Sequence, residues 1–302
     1  MNKALNALLK QLNTIVLGKS EQISLALTCL FCRGHLLIED LPGMGKTTLS
    51  HALAQVLGLS YNRVQFTNDL LPSDILGVNI YDRERQAFTF HPGPIFANLV
   101  LADEINRASP KSQSALLEAM EERQVTIEGT THALEEPFFV IATQNPQDQA
   151  GTHALPESQL DRFFMRIHLG YPPEDAERAL LMGKSRREAI SRLKPVLKPE
   201  HIVTLQHQIT RVTVTQPLVD YVLRLLHYTR TDDDIPNGLS PRAGQALVHA
   251  AKGWAFLHDR THVLPEDVQA VFPAVAEHRL GGHAPLGSAP LSQRVLNAVN
   301  VL

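Results

Sequence analysis

The chain has 302 residues, enough for one large domain or a large and a small one at roughly 100–200 residues per domain. With 44% hydrophobic, 6% aromatic and 20% charged residues it is not an intrinsically disordered chain. Its 28 basic and 31 acidic residues give a net charge of −3, which excludes the whole-protein basic field of a dedicated nucleic-acid binder and leaves room only for a local basic face.

The N-terminal MNKALNALLKQLN reads as an amphipathic helix. Lys10 interrupts its apolar run and no small-residue cleavage site follows, so it is not a signal peptide. The uncharged stretch 23–32, bounded by Glu21 and Arg33, is about half of the ~20 residues a membrane-spanning helix needs. No membrane span is expected, and the cytoplasm is the expected location. Cys29 and Cys32 fall on one side of a helix in that stretch. With no second cysteine pair and an apolar setting, they read as core packing rather than a redox or zinc site.

From residue 35 to 169, short apolar runs alternate with helical patterns, the signature of a parallel sheet covered by helices. The expected strands are 36–38, 63–66, 99–102, 138–142 and 163–167. Two segments interrupt the alternation. Residues 78–91 read as a hairpin with the charged tip Asp82-Arg-Glu-Arg85, and residues 124–137 as a second hairpin turning at Gly129. Gly170-Tyr-Pro-Pro173 can continue neither a helix nor a central strand, which places a boundary there: residues 1–170 form an α/β domain and 171–302 a small helical one. The expected helices of the second domain run over 174–183, 200–208, 217–230, 241–258 and 265–277. A Gly- and Pro-rich tail, 281–290, then precedes a last helical candidate at 291–301.

The strongest chemical signal is Glu39-Asp-Leu-Pro-Gly-Met-Gly-Lys-Thr-Thr48, after a strand and opening a helix that Gly58 stops. This is a phosphate-binding loop. Gly43 and Gly45 let successive backbone N–H groups turn inward toward phosphate oxygens, backed by the helix N-terminus. Pro42, Met44 and Thr48 complete the cradle, Lys46 reaches the β- and γ-phosphates, and the Thr47 hydroxyl is suited to Mg²⁺. The strict pattern has glycine where this chain has Asp40, and a carboxylate is tolerable there only if it points away from the phosphates. The second signal is Leu99-Val-Leu-Ala-Asp-Glu104, an apolar strand ending in two carboxylates at the edge where open α/β sheets bind ligands. Asp103 is suited to hold Mg²⁺ with Thr47, and Glu104 to polarise the attacking water. Taken alone, such a pair is also compatible with a plain helix cap.

Three further residues are candidates. Asn145, after the strand that starts at Phe138, offers an amide to water or the γ-phosphate; Asn-Pro as simple turn chemistry is the alternative. Arg162, ahead of the fifth strand, is suited to neutralise transition-state charge on a neighbour's ATP, against a plain Asp161–Arg162 surface pair. Arg242 stands in the first turn of a helix, a poor place for a cation unless it faces an external anion. Among the 14 histidines there is no HxH or HExxH spacing.

Taken together these segments resemble an AAA+ ATPase, and more closely the MoxR family: EDLPGMGKTT, VQFTNDLLPSDILG, GPIFANLVLADEINRA, LLEAMEERQVTIEG, FFVIATQNP, LPESQLDRFFM and LSPRA. The resemblance spans nearly the whole chain and accommodates an acidic residue at Asp40. It implies a five-stranded parallel sheet with a helical lid, ATP and Mg²⁺ as ligands, and Lys46 and Thr47 in Walker A. Asp103 and Glu104 are then Walker B, Asn145 sensor 1, Arg162 the arginine finger and Arg242 sensor 2. The hairpins correspond to the helix-2 insert and the pre-sensor-1 hairpin. A homo-oligomeric ring, usually hexameric, is implied, acting with a von Willebrand factor A-domain protein on a protein client, metal insertion included; Ile15 to Gly18 occupy the place where related ATPases hold the base. The alternatives are a magnesium-chelatase-like subunit and a nucleic-acid motor. The second hairpin, QVTIEGTTHALEEP, has no Lys or Arg, whereas a strand gripping phosphates should be basic.

Overall fold

The computed structural model describes residues 2–145, 152–182, 186–281 and 290–301. Nine strands occur among them: β1 (Leu36–Glu39), β2 (Tyr61–Gln65), β3 (Gly77–Asp82), β4 (Ala87–Pro92), β5 (Leu99–Asp103), β6 (Gln124–Ile127), β7 (Thr130–Ala133), β8 (Phe139–Gln144) and β9 (Met165–Ile167). Five of them form a parallel sheet in the order β2-β5-β8-β1-β9, with Val64 opposite Ala102, Leu101 opposite Ile141, Leu37 opposite Ala142 and Ile38 opposite Ile167. Every residue of β1, β5 and β8 is buried, because helices cover both sheet faces and leave no side for water. The order carries the function. β1 lies beside the β9 edge, β2 returns at the far edge, and β5 and β8 fill the gap, so the carboxyl ends of β1, β8 and β5 lie side by side at the switch in strand order where such sheets bind ligands.

The helices are α1 (Asn2–Ile15), α2 (Ser20–Phe31), α3 (Lys46–Leu57), α4 (Pro72–Leu76), α5 (Pro110–Glu122) and α6 (Glu157–Leu160). After β9 come α7 (Glu174–Met182), α8 (Arg186–Ser191), α9 (Pro199–Thr210), α10 (Gln216–Thr231), α11 (Pro241–Leu257), α12 (Pro265–Ala276) and α13 (Leu291–Ala298). α2 is buried from Leu25 to Phe31 and packs on β1 and β9 on one side and on α9 and α11 on the other, so one apolar core runs from the sheet into the C-terminal helices. Cys29 and Cys32 are free thiols in that core, and burial pushes both of their pKa values well up. The Cys32 thiol donates to the His249 carbonyl at 3.3 Å, and its sulfur lies where any side chain at Gly253 would have to go, so glycine is what lets α2 and α11 approach. They are packing residues, as their apolar setting predicts.

Element boundaries differ from the sequence expectation in instructive places. Phe163 and Phe164 are not in β9. The Phe163 N–H bonds back to Leu160 in a turn and that of Phe164 to the His35 carbonyl; Phe163 is fully buried in one apolar cluster and Phe164 packs half-buried against the other, so the pair joins two cores instead of extending a strand. β2 starts two residues earlier than expected, at Tyr61, paired with Leu99. α8 is an additional helix, while Gly183 and residues 282–289 of the Gly- and Pro-rich tail lie outside the described residues.

Both expected hairpins form, β3–β4 with its turn after Asp82, and β6–β7 turning at Glu128 and Gly129. They dock on one another. The Asn79 amide donates to Glu128 at 2.9 Å, and the His132 ring stacks on Phe90 with centroids 3.9 Å apart.

A buried histidine ties the sheet to α5. His35 Nδ1 accepts from the Val140 N–H at 3.0 Å, which leaves Nε2–H to donate to the Met120 carbonyl at 3.1 Å. Burial is the main reason its pKa falls to about 4, with Arg123 adding to the shift and the Met120 carbonyl opposing it. In the unfolded chain the ring takes its proton near pH 6.5, so its contribution to stability is complete above that pH and is lost as pH falls toward 4. The shift corresponds to about 3 kcal/mol. Urea midpoints should therefore fall across pH 6.5 to 4, and His35→Gln should make that slope shallower; an unchanged slope would show that the ring already titrates normally in the fold. His249 and His278, whose pKa values burial also lowers, contribute with the same sign and keep part of the slope in the variant.

Candidate nucleotide site

Between β1 and α3 the chain turns through Leu41–Gly45. Gly43 (φ 86°) and Gly45 (φ 90°) are in the left-handed region with nothing near the space a Cβ would occupy, so it is backbone conformation and not crowding that calls for glycine. Gly45 caps α3 without a side chain, and the first helical bond runs from the Leu49 N–H to the Gly45 carbonyl. Helix geometry leaves the N–H groups of the preceding turn without acceptors, which is the cradle an anion needs. Pro42 and Thr47 are exposed at its mouth, Thr48 is half-buried, and Met44 packs down onto the core.

Asp40 does point away from this cradle. Its carboxylate accepts the N–H groups of Leu169 and of Gly170, the latter at 2.9 Å, just past β9. The acidic residue fastens the base of the loop to the neighbouring strand instead of facing phosphate. Below it, Glu39 and Arg166 form a buried ion pair at 3.0 Å, and the Gln144 amide donates to Glu39 at 3.2 Å. Gly18 sits against Pro173 and Ala176, so the segment after α1 meets the chain leaving β9.

The Lys46 ammonium donates to the Asp40 carbonyl at 2.5 Å and to Asn145 Oδ1 at 3.2 Å. The Asn145 amide nitrogen in turn lies 3.4 Å from Glu104 Oε1, so Asn145 bridges the cation and the acid. Burial lowers the Lys46 pKa, and Asp40, Asp103, Glu104 and Glu39 pull it back up. Asp103 closes β5; one carboxylate oxygen accepts the Thr143 hydroxyl at 2.6 Å and the other accepts Arg63 at 2.7 Å. Glu104 follows at φ 57°, an uncommon conformation for a residue with a side chain, of the kind concentrated at functional sites. Its N–H donates to Thr143 at 2.9 Å, and its carboxylate is held by Gln65 at 2.9 Å and Arg107 at 3.1 Å.

The residue set fits Mg²⁺. Asp103 Oδ1 keeps a lone pair beyond the Thr143 hydroxyl, while Oδ2 is taken by two Arg63 N–H groups, and Thr47 is exposed next in sequence to the loop's lysine. Among the described residues no group of three or more His, Cys, Asp or Glu could hold a metal, which is compatible with an ion that takes one or two protein ligands and completes its shell with phosphate and water.

The remaining two arginines are elsewhere. Arg162 Nε is 3.2 Å from one Glu121 oxygen and an Arg242 nitrogen is 3.4 Å from the other, at the end of α5. Among the described contacts, their side-chain polar contacts go to Glu121 and none to the Lys46, Asp103, Glu104 and Asn145 cluster. The plain Asp161–Arg162 pair does not form, because Asp161 is taken by Arg279 at 2.7 Å. Arg242 has its anion, and the helix start beneath it is capped by Ser240, whose hydroxyl accepts the Ala243 N–H at 3.1 Å.

Arg63, Gln65, Arg107 and Glu121 escape a reading of the sequence. Arg63 and Gln65 share one face of β2 by its two-residue period, and Gln65 pairs with Asp103 across the ladder, but that requires knowing that β2 neighbours β5. Nothing in EAMEE distinguishes Glu121 from Glu118 or Glu122.

A parallel sheet with a glycine loop after β1 and an acidic pair ending β5, with β8 between the two strands, defines a P-loop ATPase of the AAA+ class. The model of the ATPase family associated with various cellular activities (AAA) matches residues 35–165, and that of the AAA lid domain matches residues 227–298. The chain is 43% identical over 283 residues to the uncharacterized protein YeaC of Bacillus subtilis, covering 94% of this chain and 88% of the relative. It is 40% identical over 281 residues to chaperone MoxR1 of Mycobacterium tuberculosis, with coverage of 89% and 74%. A crystal structure of an ATPase candidate from Cytophaga hutchinsonii superposes with a TM-score of 0.89 at 36% identity, covering 99% of this chain and 95% of the other. The chain belongs to the MoxR family of AAA+ ATPases. Among the described residues no helix is long and apolar enough to cross a membrane.

Proposed function

We propose that this protein is the Mg²⁺-dependent ATP-hydrolysing motor of a homo-oligomeric ring, hexameric as in related AAA+ assemblies, that remodels a protein client in the cytoplasm. In this reading residues 1–170 bind nucleotide and 171–302 form the lid. Pro42 to Thr48 cradle the phosphates, Lys46 neutralises them, and Thr47 with Asp103 would hold Mg²⁺, which supplies charge neutralisation on the phosphate oxygens. Glu104 takes the proton of the attacking water, Asn145 orients that water, and Ile15 to Gly18 line the base. A von Willebrand factor A-domain partner and metal insertion into the client belong to the same proposal.

One observation carries the shared site: Arg162 and Arg242 converge on Glu121, apart from the subunit's own Lys46 cluster. Two cations on one carboxylate leave unbalanced positive charge, which a neighbour's triphosphate would complete. A protein client is supported by the first hairpin, which exposes Val78, Ile80, Tyr81 and Phe88, while its tip of Asp82, Arg83, Glu84 and Arg85 carries no net charge to grip nucleic-acid phosphates.

The test is specific ATPase rate against protein concentration, with light scattering for mass in the same samples. A rate that rises as the subunits assemble is expected. A rate independent of concentration in samples that do assemble would mean that each subunit hydrolyses alone, and the shared site would fall.

A further inference from the structure

We propose that Arg279, just beyond α12, is a positioning residue that sets where Arg162 is presented to the neighbouring subunit; this rests on the shared-site reading above. Arg162 occupies a turn between α6 and β9, flanked by Asp161 and Phe163, and its own side chain is about one-third exposed. A long side chain on an exposed turn has no fixed pose unless the turn itself is held.

Arg279 holds it. Its side chain is almost fully buried, at 8% exposure, and its guanidinium reaches Asp161 Oδ1 at 2.7 Å, the Asp161 carbonyl at 3.3 Å, the Phe163 carbonyl at 2.8 Å and the Phe164 carbonyl at 3.4 Å, besides the Val275 carbonyl near the end of α12. The backbone on both sides of Arg162 is thus tied to one rigid fork. The neighbouring His278 ring adds a bond to the Phe163 carbonyl at 3.1 Å, and Asn237 donates to Glu157 at 2.8 Å at the other end of α6.

Packing alone does not account for an arginine here. Burying a guanidinium with a single carboxylate partner is costly, and a leucine would fill the space without that cost. What only arginine supplies is five N–H groups in a fixed plane, enough to serve a carboxylate and several carbonyls at once; an ammonium has three donors and no fork. The consequence is mechanical. α12 and the Arg162 turn move as one body, so the pose of the helical region in one subunit fixes the arginine offered to the next.

The experiment compares Arg279→Met, Arg279→Lys and Arg162→Ala in the full chain, alone and mixed with Lys46→Ala. Alone, Arg279→Met should lower kcat at least tenfold with little change in KM for ATP or in binding of a fluorescent ATP analogue, since each subunit's own loop is intact, and Arg279→Lys should fall between it and wild type. Mixed in equal amounts with Lys46→Ala, itself inactive, Arg279→Met should regain activity several-fold above either variant alone. About a quarter of randomly formed head-to-tail interfaces then pair an intact loop with a correctly held arginine. A subunit that merely failed to fold could not complement. The proposal is overturned if Arg279→Met and Arg279→Lys both keep the wild-type kcat. It is also overturned if Arg162→Ala complements Lys46→Ala while neither Arg279 variant does. If Arg162→Ala itself fails to complement, the shared site falls and takes this role for Arg279 with it.

Discussion

Glu104→Gln is expected to bind ATP at close to wild-type affinity and to hydrolyse it about 10²–10⁴ times more slowly, the usual worth of a positioned general base. The substitution preserves shape and keeps one acceptor oxygen, so of the bonds from Gln65 at 2.9 Å and Asn145 at 3.4 Å, which reach opposite carboxylate oxygens, one can be retained. What it removes is the ability to take a proton. The ion pair with Arg107 goes too, but that arginine is half-exposed and such pairs contribute little. Lys46→Ala should behave differently and lose binding and turnover together, because it deletes the cation within the cradle and the donor that fixes Asn145. Equilibrium binding of labelled ATP, read beside phosphate release, separates the two outcomes. Normal hydrolysis by Glu104→Gln would move the base to another residue, and tight binding by Lys46→Ala would take the phosphate-contact role from the lysine.

The parts of this site that a sequence reveals are those whose chemistry is fixed by local spacing. The loop from Gly43 to Thr48 must be contiguous to wrap a phosphate, and Asp103 and Glu104 must follow an apolar strand directly, so both are legible without a fold. Asp40 shows the limit. A carboxylate next to a phosphate cradle is a puzzle in one dimension, and its solution, the Leu169 and Gly170 amides, lies some 130 residues away in the chain. Gln65 and Arg63 become interpretable only when the sheet order sets β2 beside β5. The Phe163–Phe164 pair misleads for a related reason. Apolar runs report burial, not conformation, and here burial is achieved in a turn that Arg279 holds from the other half of the chain.

Arg162→Ala should reduce kcat by about 10³ or more, the range in which arginine fingers act, while ATP binding to the same subunit stays near wild type. The division follows from placement: in the proposed reading the Lys46 cluster binds the phosphates, and Arg162 has its described polar side-chain contact on Glu121, not there. Arg242→Ala should move the same parameter in the same direction, since the two arginines share that carboxylate at 3.2 and 3.4 Å. Glu121→Gln makes the comparison informative. Both of its ion pairs are partly exposed, so its loss should cost under about 1 kcal/mol of stability and leave both arginines charged and able to reach a neighbouring triphosphate. Single-turnover rates on assembled protein, with ATP prebound and Mg²⁺ added to start the reaction, read these effects without interference from product release. A large loss in Arg162→Ala, a loss in Arg242→Ala and near-retention in Glu121→Gln would mean that the carboxylate only parks the pair and the arginines do the work on a neighbour's phosphate. If Glu121→Gln were as slow as Arg162→Ala, the carboxylate would itself be required to aim them, and the finger would have to be understood as a three-residue unit at the end of α5.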